Sequence, residues 1–175
     1  MRNIFKKVYI FFILIASIIP SVSYAIMQGF STEALTKESA LIVTGEVEYT
    51  KSAWSKDGKT IITTASVIVA DVIKGTTTTQ RIIVEYEGGE VGEIGLRVSD
   101  VSPLAKGETV LLFLKPGMSK IDGAVHNITA KAQGKYVIDE NRIARKSGFS
   151  VAGGGENVDY SMSLDKLIEK IRNVR

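Results

Sequence analysis

The chain has 175 residues, with 22 lysines and arginines against 19 aspartates and glutamates, one histidine and no cysteine. The three surplus positive charges, Arg2, Lys6 and Lys7, lie in the first 25 residues, so the remainder is formally neutral. Without a surplus of positive charge, binding to nucleic acid or to an acidic membrane loses its main support. The lack of cysteine excludes a disulfide framework, a cysteine zinc site and thiol catalysis. The length predicts a single domain, residues 26–175.

Residues 1–25 have the order of parts that is typical of a cleaved export signal. Basic residues precede a 12-residue apolar run from Val8 to Ile19, Pro20 follows, and Ser23 and Ala25 stand at the −3 and −1 positions. This run is shorter than the ~20 residues of a membrane-spanning helix. We predict export to the periplasm or the medium, with cleavage after Ala25 and no stable membrane insertion afterwards. An uncleaved anchor is the alternative.

The first elements of the exported part are a short helix and a strand. Thr32 to Ser39 has a capping hydroxyl at its start and reads as a helix. Ala40 to Thr50 alternates apolar and polar residues, which predicts a strand with one wet face, and Gly45 within it indicates a bulge. Asp57-Gly58 predicts the turn that follows.

Three further strands are predicted in the middle of the chain. Thr60 to Ile73 is rich in β-branched residues, and Arg81 to Glu87 alternates. Gly88 to Ser102 reads as one long, glycine-rich loop. Thr109 to Lys115 is apolar on both faces, which predicts a central strand that Pro116-Gly117 ends.

The C-terminal part predicts a hairpin and a helix. Asn127 to Asp139 and Arg142 to Arg145 read as paired strands, and Gly153 to Gly155 as a flexible break. Ser163 can cap a helix over 163–174 whose apolar stripe is Leu164, Leu167, Ile168, Ile171 and Val174. We expect this stripe to cover barrel core at an open end or side of the sheet. The predicted fold is mainly β: a small antiparallel OB-like barrel with a short N-terminal helix and an amphipathic C-terminal helix.

Several segments resemble a family of secreted bacterial and archaeal proteins of uncharacterised activity. The motifs are KG after the long strand (Lys74-Gly75), GGxxG as GGEVG from Gly88, and GExVLLFL as GETVLLFL from Gly107. The resemblance runs from about Ala40 to Asp139. It implies an architecture and an exported location, and it brings no activity, cofactor or site residue.

More distantly, the order of elements is similar to netrin-like domains, which include the tissue inhibitors of metalloproteinases. That resemblance implies a five-stranded barrel of the OB type. These inhibitors bring an N-terminal cysteine to a catalytic zinc, whereas the predicted mature chain begins at Ile26 and has no cysteine. The resemblance therefore implies the fold without the inhibitory mechanism.

Candidate chemistry in the sequence is sparse. His126 is the single histidine and has no serine nucleophile motif near it, so we predict no catalytic residue and no zinc site. Glu85, Glu87, Glu90 and Glu93 surround two glycines, and their carboxylates could bind calcium, although their spacing is also that of a solvated strand face. We predict no cofactor.

The function predicted from the sequence is non-catalytic binding through two loops, Ser52 to Lys59 and Gly88 to Ser102. Trp54 is a large aromatic residue in a polar hairpin tip, where an exposed ring would mark recognition, although it could also fold back over the barrel end or the C-terminal helix. The candidate partner-binding residues are Trp54, Gly88, Gly89, Glu90, Gly92 and Arg97. The expected partner is a protein or a component of the cell envelope. A protease inhibitor acting through the same loops and, less favoured, a secreted hydrolase are the alternatives.

Overall fold

The computed structural model describes residues 28–151 and 157–174. The predicted export signal and the predicted break at Gly153 to Gly155 lie outside these residues. Within the two described ranges, no helix combines the length and apolar character needed to cross a membrane.

Ten strands and two α-helices make up the described chain. The strands are β1 (Leu41–Trp54), β2 (Ile61–Lys74), β3 (Arg81–Glu87), β4 (Gly89–Val91), β5 (Ile94–Leu96), β6 (Thr109–Met118), β7 (Ala124–Ile128), β8 (Lys135–Ile138), β9 (Ile143–Arg145) and β10 (Ser161–Ser163). The helices are α1 (Thr32–Glu38) and α2 (Leu164–Arg172), with a 3₁₀ helix at Lys131–Gly134. The N-terminal helix, the first three strands and the C-terminal helix are confirmed close to their predicted bounds.

Five strands form a ring. β1 pairs with β2 on one side and β6 on the other, and the ring continues through β3 and β7. The prediction of a small OB-like barrel is confirmed, but the prediction of an antiparallel sheet is wrong at one place. β3 and β7 run parallel, with Val84 opposite His126. The long connection between them allows this, because parallel neighbours cannot be joined by a tight turn.

β6 is the central strand, as predicted. It pairs with β1 along one edge and with β7 and β8 along the other. It does not end before Pro116, as the sequence suggested, but continues to Met118. Beyond Leu114, β6 pairs with β7 along one edge, and β1 no longer covers the other edge. Pro116 has no N–H to donate, and its backbone can face this second, unpaired edge.

A bulge bends β1 at the predicted position. The register with β2 shifts between Thr44 and Gly45. A Cβ at Gly45 would overlap the carbonyl oxygen of Ile68, so the close approach of β1 to β2 at the bulge requires glycine.

The predicted final hairpin is only half right. β8 and β9 pair around the expected turn, but 127–139 is not one strand. Ala130 and Lys131 adopt left-handed conformations, with φ of 49° and 54°, and begin the 3₁₀ helix that separates β7 from β8. Such conformations are uncommon for residues other than glycine, and the sequence carries no signal for them here.

Two hydrophobic cores lie on opposite sides of the same strands. The core inside the ring contains Leu41, Val43, Val47, Ala65, Val67, Ile82, Val84, Leu104, Val110, Leu112, Leu114 and Ile128. The second core lies between the outer sheet face and the two helices and contains Leu35, Ile42, Leu111, Phe113, Tyr136, Ala144, Leu164, Leu167 and Ile171. The stripe of α2 therefore covers the outside of the sheet, and the expectation that it covers the barrel core is corrected. Alternate residues of β6 serve the two cores, which is why its sequence is apolar throughout.

Candidate functional site

The two predicted recognition segments lie at the same end of the ring. β1 ends at Trp54, which pairs with Ile61 at the start of β2. Ile62 pairs in turn with Glu87 at the end of β3. Because these strands are antiparallel neighbours, the segment after β1 and the segment after β3 leave the sheet side by side.

The segment after β3 is not the open loop that the sequence suggested. It contains a hairpin, β4 and β5, joined by the two-residue turn Gly92-Glu93. Gly92 has a φ of +62°, whereas Glu93 is not among the residues with positive φ, which is the pattern of a type II′ turn. Residues 97–103 then return toward the barrel without regular structure.

Two consecutive glycines fix the hairpin to the barrel. Gly88 and Gly89 have φ of +105° and +124°, a region that residues with side chains rarely adopt. A Cβ on Gly89 would overlap the hydroxyl oxygens of Ser52 and Thr63. The Thr63 hydroxyl also donates to the Gly88 carbonyl oxygen at 2.5 Å. The hairpin backbone thus lies directly on β1 and β2.

An open groove of about 920 Å³ separates the ends of β1 and β2 from the hairpin and the segment that follows it. We call this the end groove. It is lined by Thr50, Ser52, Thr63, Tyr86, Glu87, Gly88, Gly89, Glu90, Gly95, Leu96, Arg97, Val98, Ser99, Val101, Pro103 and Gly148. The hydroxyls of Ser52 and Thr63 are 2.8 Å apart and hydrogen-bonded to each other, and the Tyr86 hydroxyl accepts from the Leu104 N–H at 3.2 Å. Part of the lining is therefore polar and held by bonds within the protein.

The charged groups of the end groove differ in whether they are already paired. Glu87 forms an ion pair with Lys120, and this hydrogen bond raises the pKa of Lys120. Glu90 and Arg97 are exposed and form no ion pair with any described residue. They leave one negative and one positive side chain at the groove that can pair with a bound molecule.

Four of the six predicted partner-binding residues line the end groove, and two do not. Gly88, Gly89, Glu90 and Arg97 belong to the lining. Gly92 is at the hairpin turn, and Trp54 is outside the lining at the end of β1, where 42% of it is exposed.

The four glutamates proposed for calcium are not brought together. Glu85 is buried and accepts hydrogen bonds from the Ser119 hydroxyl and, at 2.9 Å, from the Lys120 N–H. Glu87 is paired with Lys120, while Glu90 is exposed on the hairpin. Across 28–151 and 157–174, no three acidic or histidine side chains are grouped so that they could hold a metal ion.

Sequence reasoning missed the role of Ser119 in the β6–β7 turn. Its hydroxyl donates to Glu85 and accepts from the backbone N–H groups of Ile121 and Asp122, each at 2.9 Å. The turn also contacts the predicted loop from Ser52 to Lys59, because the Lys120 carbonyl accepts a hydrogen bond from the Lys56 N–H at 3.0 Å. A serine at the start of a turn is the only signal that the sequence offered.

A buried lysine beneath the helices was also missed. Lys146 is 7% exposed, and its Nζ lies 4.7 Å from the centroid of the Tyr136 ring and has no hydrogen-bond acceptor among the residues that the structure describes. Burial lowers the pKa of Lys146 to about 8. Burial also raises the pKa of Tyr136, whose hydroxyl donates to the Asp159 carbonyl at 2.9 Å. Lys146 and Tyr136 therefore lie at the second core, beneath the helices, and not at the end groove.

The described residues form a small β barrel with an open groove at one end. No protein-family model matches the chain, and no curated protein is significantly similar to it.

Proposed function

We propose that this protein is an exported, non-catalytic binding module that captures a protein or a cell-envelope component in the end groove. One observation carries the proposal: the predicted loop from Gly88 to Ser102 lines an open groove together with Ser52, the first residue of the other predicted loop, Ser52 to Lys59. Grooves between loops on a rigid barrel are a common place for recognition.

The chemistry of the lining supports binding better than catalysis. The hydroxyls of Ser52 and Thr63 bond to each other, so neither is activated by a neighbouring base. His126 lies on β7 and is not part of the lining. Glu90 and Arg97 offer unpaired charges, and Leu96 and the valines of the lining offer apolar surface to a partner.

A pair of variants on neighbouring positions of β1 tests the groove. Thr50 lines the end groove and Lys51, the next residue, does not. Both are exposed, so a large side chain can be accommodated at either position without entering a core. Thr50→Tyr fills the groove, and Lys51→Tyr adds the same ring on the opposite side of the strand.

The readout is capture of partners from the cell envelope and medium, identified by mass spectrometry. We expect a partner that the unaltered protein and Lys51→Tyr both retain and that Thr50→Tyr loses. Retention of every captured partner by Thr50→Tyr would exclude the end groove as the binding site.

A protease inhibitor without the cysteine mechanism is the second candidate. The observation that favours it is the protruding hairpin, in which every residue from Gly92 to Arg97 is exposed. Inhibition of a protease by the unaltered protein, lost in Thr50→Tyr or after cleavage at Gly92-Glu93, would assign this function.

Export is the part of the proposal that rests on sequence. The apolar run up to Ile19 and the resemblance to a secreted family both support it. Mass spectrometry of the protein outside the cytoplasm should find a chain that begins at Ile26. A full-length chain retained in the membrane would contradict this.

A further inference from the structure

The hairpin presents an unpaired strand edge to solvent. Among the described strands, β5 pairs with β4 alone, so its other edge has no partner. Ile94 and Leu96 on this strand are 56% and 36% exposed. An exposed edge with apolar side chains is a ready template for pairing with another strand.

The backbone of Gly95 points toward this free edge. Val91 and Ile94 close the two-residue turn as a hydrogen-bonded pair, and hydrogen-bonded and non-bonded pairs alternate along antiparallel strands. The next pair, Glu90 and Gly95, is therefore non-bonded, and the N–H and C=O of Gly95 face away from β4. No described residue outside the hairpin hydrogen-bonds to the backbone of Gly95 or Arg97.

The hairpin itself does not require glycine at position 95. Gly95 is not among the glycines with positive φ. A Cβ there would meet only the Cγ of Glu90, at 3.5 Å, which is ordinary contact. Glycine inside a strand often marks the close approach of another backbone, and Gly95 lies at the free edge where such a backbone could come.

The residues around Gly95 could pair favourably with the same residues of a second, antiparallel copy. Residues 93–97 read Glu-Ile-Gly-Leu-Arg. In an antiparallel pair of two such strands centred on Gly95, each Glu93 lies opposite Arg97 of the other copy. Each Ile94 lies opposite Leu96 in the same way. Opposite charges and apolar pairs directly across two strands both stabilise the pairing, and a two-fold axis makes each contact occur twice.

We propose that two copies of this protein associate edge to edge through β5, about a two-fold axis at Gly95. The contact forms a four-stranded sheet from the two hairpins, with backbone hydrogen bonds between the two Gly95 residues. A three-residue strand buries less area than the ~1,000 Å² of a stable interface, so the dimer is weak and depends on concentration. This self-association uses the free edge of β5, and three of the residues in this contact, Gly95, Leu96 and Arg97, also line the end groove.

Charge reversal tests the proposed register. The variants are Arg97→Glu, Glu93→Arg and the double exchange, all at exposed positions. Sedimentation equilibrium of the purified protein over a range of concentrations measures the dimer dissociation constant. Each single reversal places like charges opposite one another twice, and we expect it to weaken the dimer about tenfold or more. The double exchange restores opposite charges across the axis and should recover the original dissociation constant.

Lys166→Glu, an exposed reversal on α2, is the matched control and should leave the dimer unchanged. Thermal melting of each variant verifies that the hairpin changes leave the fold intact. Three results would overturn the proposal: a monomer at concentrations up to about 1 mM, a dimer insensitive to both single reversals, or no recovery in the double exchange. These results are distinguishable from a failure of the end-groove proposal. That proposal is tested by partner capture with Thr50→Tyr, which leaves the β5 edge unaltered.

Discussion

The helix-covered face and the groove end of the barrel use the same strands for opposite purposes. On the helix-covered face, which is the outer sheet face beneath α1 and α2, Ile42, Phe113 and Leu167 are wholly buried in a cluster of apolar side chains. At the groove end, exposed residues such as Glu90 and Arg97 surround hydroxyls that bond within the protein. Substitutions in the first region should lower the stability of the fold, because its side chains are closely packed. Exposed side chains in the second region can be changed with little effect on the barrel that holds them.

The largest effect is expected at the centre of the helix-covered face. Leu167 is 0% exposed, so Leu167→Ala should lower the free energy of unfolding by about 2–5 kcal/mol. Ile168, the next residue, is only partly buried, and Ile168→Ala is the matched control with a smaller loss. Urea denaturation measures both. Equal losses would mean that α2 packs in another orientation.

Lys146 is the exception within the helix-covered face and gives the second prediction. Its pKa is lowered by burial to about 8 in the folded protein, against about 10.4 in the unfolded chain. Between about pH 8 and pH 10.4, Lys146 is protonated in the unfolded chain and mostly neutral in the folded protein. The free energy of unfolding should therefore rise as the pH increases through this range. At neutral pH the buried ammonium costs up to about 3 kcal/mol.

Lys146→Met keeps the length of the side chain and removes the charge. We expect it to stabilise the protein at pH 7 and to remove this rise of stability with pH, as measured by denaturation at a series of pH values. Destabilisation at pH 7 would show that the contact of Lys146 with the Tyr136 ring outweighs the cost of burying its charge.

The third prediction concerns the connection between the barrel and the hairpin. Gly89→Ala introduces a Cβ at φ +124° against Ser52 and Thr63, and should cost about 1–3 kcal/mol or displace the hairpin. Gly95→Ala is the matched control, because its Cβ has room. Denaturation and hydrogen exchange of the hairpin amides compare the two. Equal behaviour would contradict the close seating of Gly89 on the barrel.

The smallest effect on stability is expected at the exposed charges. Glu90→Ala combined with Arg97→Ala should change the free energy of unfolding by less than about 0.5 kcal/mol while weakening capture of the partner. Trp54→Ala, outside the groove lining, should leave capture in place. Loss of capture in Trp54→Ala alone would move the site from the groove to the tip of β1.

Local patterns predicted the long elements well. Alternation located β1 and β3, the apolar run located the central β6, and Gly45 and Ser163 were correctly assigned to a bulge and a helix cap. Each of these depends on residues that are neighbours in sequence. The parallel pairing of β3 with β7 depends on residues far apart in the chain and left no local pattern.

The candidate site was only partly predictable for related reasons. The strands β4 and β5 have three residues each, too few for a period of two to be distinguished from a glycine-rich loop. The sequence identified Glu90 and Arg97 but gave no means to see that Trp54 lies outside the lining. Lys146 lies in a polar stretch that reads as exposed, and only its tertiary position buries it.

Hydrogen exchange of the protein with and without its captured partner tests the proposed site most directly. The expected result is added protection in two segments, around Thr50 to Ser52 and from Gly88 to Pro103, with α1 and α2 unchanged. Protection centred on the helices, with the groove segments exchanging as in the free protein, would contradict the assignment of recognition to the end groove.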